Sequence, residues 1–292
     1  MSKTAAPELL VLGFKAFDLH ELLLHFVAER QGHYQREGLA VRLRDITFTP
    51  EEKLESHVFS VACGSTLLGR MAGARRKVVL VATEHPMFWI YARAGITKLE
   101  HLRGTRTATY PPASPPWLLH RAILSRRGLN PDRDVQLEAA RDDAARLGLL
   151  RSGNVEAAVL SSAVPPAKAQ SLGLARVAFF GDEIRIPTTG LAVSEETIRE
   201  QPALVRRMVA ALRSSLRSVH ESPGEVLPAL ELLLDGGREI AEKTYEAVRA
   251  CFTENGRASA EARKAAIELV NGQNPPARIK EEDVYDDSFL MP

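Results

Sequence analysis

ELLVLGFKAFDLHELLLHFVAERQGHYQREGLAVRLRDI, residues 8–46, decides the fold. ELLVLGF (8–14) is an apolar run of strand length, rich in branched side chains. Asp18 is a favoured helix N-cap, and Glu21 three residues on has the capping-box spacing. Leu19, Leu22, Leu23, Phe26 and Val27 then recur at i, i+3 and i+4, which gives a helix one buried stripe. Gly38 marks a turn, and Leu39 to Ile46 reads as a second strand. Strand, helix and strand in this order predict a parallel pair with its crossover helix packed on the sheet.

The same alternation runs outward along the chain. HVFSVACG (57–64) is a third strand, STLLGRMAGA a short helix beginning at Ser65, RKVVLVATE (76–84) a fourth strand and FWIYAR (88–93) a fifth. A second series follows: TRTATY, a helix from Ser114 to Gly128, VQLEAA (135–140), a helix ending at Gly153, VEAAVLSS (155–162), then RVAFFGDE and TTGLAVS. From QPALVRRMVAALRSSLRSVHESP onward the pattern is mostly helical to Asn271, and the tail after it is polar and marked by prolines. The expected fold class is α/β, with mostly parallel sheets flanked by helices in two lobes and a ligand cleft between them. The expected division is residues 1–91 for the first part of lobe 1, 92–189 for lobe 2 and 190–292 for the return to lobe 1. Open α/β sheets bind ligands beyond the carboxyl ends of their strands, and domain boundaries are frequent pocket sites.

Composition narrows the function classes. The 292 residues are 45% hydrophobic and 26% charged, with 38 Lys and Arg against 37 Asp and Glu. A net charge of +1 advertises neither nucleic acid nor an anionic membrane. Two cysteines, Cys63 and Cys251, are too few for a disulfide framework or a metal cluster. No apolar run reaches membrane-spanning length, and MSKTAAPELL lacks the core and cleavage site of a signal peptide. HELLLH imitates a zinc-protease signature, but His20 and His25 lie five apart, about 500° around a helix, so they point to different faces. No G-x-S-x-G elbow, P-loop or C-x-x-C occurs.

Several stretches in order resemble one family. GHYQREGLAVRLRDI is similar to the G-x-[FY]-x-x-E-G-L-x-V element after the first helix of type II periplasmic-binding proteins. GITKLEHLRGTRTAT resembles their segment leading into the second lobe, and QPALVRRMVAALRSSLRSVHESP resembles their P-E-L-V helix. RRGLNPDRDVQL, LLRSGNVEAAVLS and the closing VYDDSFL also fit. The resemblance is to the NMT1/SsuA-like branch, whose members bind sulfonates, nitrate, taurine and thiamine-pyrimidine precursors. It implies a two-lobed clamp that closes by a hinge on a small organic anion or heteroaromatic solute and delivers it to an ABC importer. The partners it implies are that solute and an ABC permease, with no nucleic acid, no membrane insertion, no cofactor or metal, and a monomeric state. Location follows as periplasmic or membrane-associated if a leader was removed, and cytoplasmic if Met1 is the native start.

In this fold solutes meet the starts of helices that follow strands. The expected ligand-binding residues are therefore Phe17, Asp18, Gly64, Ser65 and Thr66 in one lobe, and Ser114 and Ser161 in the other. Glu84 and Thr188 join them where the chain crosses between lobes. TATYPPASPPWLLHRAIL (107–124) sets prolines around Ser114, a favoured N-cap, and so stiffens one set of helix-start donors. Phe88, Trp89 and Tyr91 can stack on a flat ligand or belong to the core. Arg141 can pair with a carboxylate or sulfonate, or simply neighbour the Asp142 cap. Two other classes stay open: an enzyme on the same scaffold, using Glu84, His85 or His20 as acid-base groups on a pyrimidine or aromatic acid, and a cytoplasmic sensor. The yeast pyrimidine synthases of this fold carry a cysteine-rich active-site stretch that is absent here.

Overall fold

The computed structural model describes residues 6–93 and 95–291. Its ten strands are β1 (Glu8–Phe14), β2 (Leu39–Asp45), β3 (Val58–Ser60), β4 (Arg76–Thr83), β5 (Trp89–Ala92), β6 (Arg106–Thr109), β7 (Gln136–Ala139), β8 (Ala157–Leu160), β9 (Ala175–Phe179) and β10 (Thr189–Ser194). The chain forms two compact units, one of residues 1–84, 186–233 and 249–292, the other of 85–185 and 234–248.

The first unit carries a sheet in the order β2-β1-β3-β10-β4. β1 runs parallel to β2 and to β3, whereas β10 is antiparallel to β3 and β4. The crossover helix Leu19–Arg30 buries Leu19, Leu22, Leu23 and Val27 of the predicted stripe but leaves Phe26 half-buried, and it also buries His20, Leu24, His25 and Ala28, so burial extends beyond one stripe. Asp18 caps it by accepting the Glu21 N–H at 3.0 Å. Thr189 and Gly190 straddle a register shift against β4. Gly190 is required there, since a Cβ would stand 2.0 Å from the Leu80 carbonyl oxygen. The tail is less polar in its packing than in its composition: Tyr285 bridges to Val78, and Val284, Phe289 and Leu290 are buried.

The second unit repeats the plan in the order β7-β6-β8-β5-β9, with β6 parallel to β7 and β8 and β5 antiparallel to β8 and β9. FWIYAR was expected in the first lobe up to residue 91, but its strand pairs wholly in this second sheet, where Trp89 faces Leu160 and Phe179. The helix Gly237–Val248 likewise belongs to this unit, so the return after residue 190 is interrupted. A short aromatic strand carries no periodicity that names its sheet; only its partners do. The helix after β3 starts at Cys63 with Ala62 at its N-cap, two residues before the expected Ser65.

Candidate functional site

In the first unit the carboxyl ends of β1, β3 and β4 meet the start of β10. His20, in the first turn after the Asp18 cap, is 4% exposed, and its Nε2 lies 2.9 Å from both Thr83 Oγ1 and Thr188 Oγ1. Thr83 Oγ1 is also 3.1 Å from Thr188 Oγ1 and 2.7 Å from Thr189 Oγ1. The Thr188 carbonyl accepts the Gly64 N–H at 3.0 Å. One network thus ties both helix starts to the end of the sheet. Burial pushes the His20 imidazole down to about 3, so it is neutral and the cluster is uncharged at pH 7. Phe17, on the same loop, is 55% exposed and sits edge-on to Phe14 and Phe26 at 5.8 and 5.9 Å.

Glu21 departs from the capping-box expectation. Its carboxylate accepts the N–H groups of Lys15 at 2.6 Å and Ala16 at 3.1 Å rather than that of Asp18. The loop 15–17 folds over the helix start and intercepts it. Burial, then the nearby Asp18 carboxylate, push the Glu21 carboxyl up to about 8, against the opposing pull of the two amides and the Lys15 ammonium.

The strand ends of the second unit are organised by an arginine. Arg146 is 1% exposed and donates from Nε to the Val159 carbonyl at 2.8 Å, from Nη1 to the Ala140 carbonyl at 2.8 Å and from Nη2 to Asp143 at 2.6 Å. Its guanidinium lies 3.6 Å from the centre of the Tyr110 ring. Asp143 in turn accepts the Ser161 N–H at 3.0 Å and the Ser161 hydroxyl. Phe88 packs edge-on to Tyr110 at 5.4 Å and tilted against Phe180, which stacks on His120.

The predicted residues therefore divide. Gly64 and Thr188 join the network of His20 and Thr83, Asp18 caps the helix two residues before His20, and Phe17 packs against Phe14 and Phe26. Ser65 is half-buried beside Gly64, and among the described residues its hydroxyl has no hydrogen-bond partner. Thr66 turns inward, its hydroxyl donating to Glu51 at 3.3 Å and to the Ala62 carbonyl at 3.4 Å. Glu84 accepts the Ser259 N–H at 2.7 Å, at the cap of the helix Ala260–Asn271. Ser114 caps its helix by position only: its hydroxyl donates back to the Pro111 carbonyl at 2.7 Å. Pro115 and Pro116 follow and have no N–H, so the stiffened helix start offers fewer donors than the sequence suggested.

Other candidates resolve similarly. Trp89 and Tyr91 are core residues, Trp89 stacking on Phe179 at 4.9 Å and Tyr91 donating to the Val164 carbonyl at 3.0 Å. Arg141 is exposed next to Asp142, which caps its helix through the Ala145 N–H at 2.8 Å. His85 Nδ1 donates to the Gly181 carbonyl at 2.8 Å. His25 Nδ1 is 3.2 Å from the Tyr34 hydroxyl, so the two histidines of HELLLH serve different partners. Arg146, Asp143 and Tyr110 were missed. In sequence Arg146 is one polar residue in an amphipathic helix, and only its capped first-turn neighbours hinted at a strand-end position.

Residues 21–226 match the family described as NMT1/THI5 like. No curated protein sequence matches the chain significantly. Among solved structures, the chain is similar to the periplasmic aliphatic sulphonate binding protein SsuA from Escherichia coli, with a TM-score of 0.76, 15% identity, and 95% of this chain and 91% of that chain covered. It is similar to the alkanesulfonate-binding protein SsuA from Xanthomonas axonopodis pv. citri bound to MOPS, with a TM-score of 0.75, 16% identity, and coverage of 97% and 99%. The desulfurization enzyme DSZB has the same fold, with a TM-score of 0.70, 14% identity and 97% of each chain covered.

Proposed function

The chain belongs to the NMT1/THI5-like family, and on that premise we propose that it is a solute-binding protein for a small organic anion or heteroaromatic compound. The observation that carries the reading is the uncharged His20–Thr83–Thr188–Thr189 network at the strand ends of the first unit; the exposed Phe17 ring lies three residues before His20 in the chain. Hydroxyl and imidazole groups bind an oxyanion without a cation, and an exposed aromatic face suits a flat or apolar tail. The likeness to sulphonate-binding proteins supports alkanesulfonates as the first class to try, with carboxylates and pyrimidines after them. The same kinship supports a periplasmic location and an ABC permease as partner, and we propose with it that the chain acts as a monomer. Calorimetry with ethanesulfonate, benzoate and a hydroxymethylpyrimidine tests this. Saturable 1:1 uptake of at least one is expected, and uptake of none overturns the reading.

Glu21 favours a second reading. A carboxyl pushed up to about 8 in the first turn of a helix is protonated at neutral pH and suits a general acid. On that reading the protein is an enzyme acting on a pyrimidine or an aromatic acid such as a sulfinate, the class of compound bound in a DSZB mutant structure of the same fold. Mass spectrometry of the incubated solute distinguishes the two. Intact solute supports binding alone, whereas turnover abolished by Glu21→Gln with binding retained supports the enzyme.

A further inference from the structure

The first unit has a second polar feature at the opposite, amino-terminal end of its parallel strands. A cavity of about 510 Å3 opens there. Its deepest groups are Arg76 at the start of β4 and Glu51 on the connection from β2 to β3, with side chains 3% and 2% exposed. Arg76 Nε stands 3.3 Å from Glu51 Oε2. Arg76 Nη2 donates to the Val58 carbonyl and, at 3.5 Å, to that of Ala192. Thr66 donates to Glu51 Oε2 at 3.3 Å. Each side chain is thereby fixed on one side only. Arg76 Nη1 and Glu51 Oε1 are both buried and without a hydrogen-bond partner.

An orphaned donor and an orphaned acceptor on residues that line the same cavity are uncommon, because buried polar groups are otherwise paired. They carry opposite charges, and the rim repeats the mixture, with Glu52, Arg75, Glu196 and Arg199. A simple anion suits Arg76 but meets the Glu51 carboxylate; a simple cation suits Glu51 but meets the guanidinium. A molecule bearing both charges a short distance apart satisfies both. We propose that this cavity binds a small zwitterion of the amino-acid class, its carboxylate on Arg76 Nη1 and its ammonium on Glu51 Oε1. The proposal does not depend on the solute reading above.

The test uses L-alanine, with propionate and isopropylamine as its singly charged relatives. L-alanine is expected to raise the melting temperature saturably, and each relative to bind about tenfold or more weakly. The double variant Glu51→Met/Arg76→Met replaces both charges with apolar chains and, like other buried pairs so replaced, is expected to fold and to lose the response. Lys243→Ala, on the exposed face of the helix Gly237–Val248 in the second unit, keeps it. Independently of any variant, amide shifts in an NMR titration of the wild type with L-alanine are expected to cluster at residues 51–56, 73–76 and 194–199. No saturable response, an equal response to propionate, an undiminished response in the folded double variant, or shifts elsewhere would each overturn the proposal.

Discussion

Acid should unfold this protein earlier than its composition suggests, and His20 provides the measure. The imidazole is 4% exposed between two threonine hydroxyls, and burial lowers it from 6.5 to about 3. A group depressed on folding contributes stability that is present above its unfolded value and is lost as pH falls through the window from 6.5 to about 3. At pH 5 the unfolded chain binds the proton and the folded one does not. The gap of 1.5 pH units costs about 2 kcal/mol at about 1.36 kcal/mol per unit. His25 and His120 are buried likewise, with values of about 4 and about 3, so the three together remove about 6 kcal/mol. That is comparable with the whole stability of an ordinary domain, about 5–15 kcal/mol. Equilibrium urea unfolding of the wild type and of His20→Gln, whose amide reaches toward the same hydroxyls without titrating, is compared at pH 7 and pH 5. The variant should lose about 2 kcal/mol less than the wild type across that interval. Equal losses would refute the assignment of His20 as a buried neutral partner of the threonines.

Three further outcomes follow from the same geometry. Ser65→Ala should weaken solute binding by about 0.5–1.5 kcal/mol, read by calorimetry, while leaving the urea midpoint unchanged, because the hydroxyl has no partner among the described residues. Gly190→Ala should destabilise by about 3 kcal/mol or more in urea unfolding, since the new Cβ would press on the Leu80 carbonyl oxygen, a backbone atom with little room to yield. Glu21 is raised on folding, so its contribution is present below pH 4.5 and is lost as pH rises through about 8; Glu21→Gln should flatten that part of the melting-temperature profile between pH 5 and 8.

The parts legible in the sequence were those set by local physics. The recurrence of Leu19, Leu22, Leu23 and Val27 marked a helix and four of its buried residues, and Asp18 and Asp142 cap where their side-chain chemistry dictates. What failed were choices among distant partners. Nothing local tells Trp89–Ala92 to pair with β8 and β9, which arrive much later in the chain. Arg146 sits in a helix that reads as half solvated, yet its guanidinium is drawn inward by two strand-end carbonyls and the face of Tyr110. Glu21 kept the capping-box spacing but was captured by two nearer amides.

These local outcomes change the chemistry expected of the site. The sequence placed its donors at helix starts, as backbone cradles, but the protein answers most of those donors itself: Gly64 N–H goes to Thr188, Ser161 to Asp143 and the Ser114 hydroxyl to Pro111. On the proposed reading, recognition falls to side chains, to Ser65, to the threonine hydroxyls and to an imidazole held neutral by burial. Such groups reorient as either donor or acceptor, which a fixed N–H cannot do. A site of this kind discriminates by where a solute places its polar atoms more than by net charge. On that proposal a sulfonate and an uncharged pyrimidine can both be taken up, whereas a cationic pocket would separate them through charge alone.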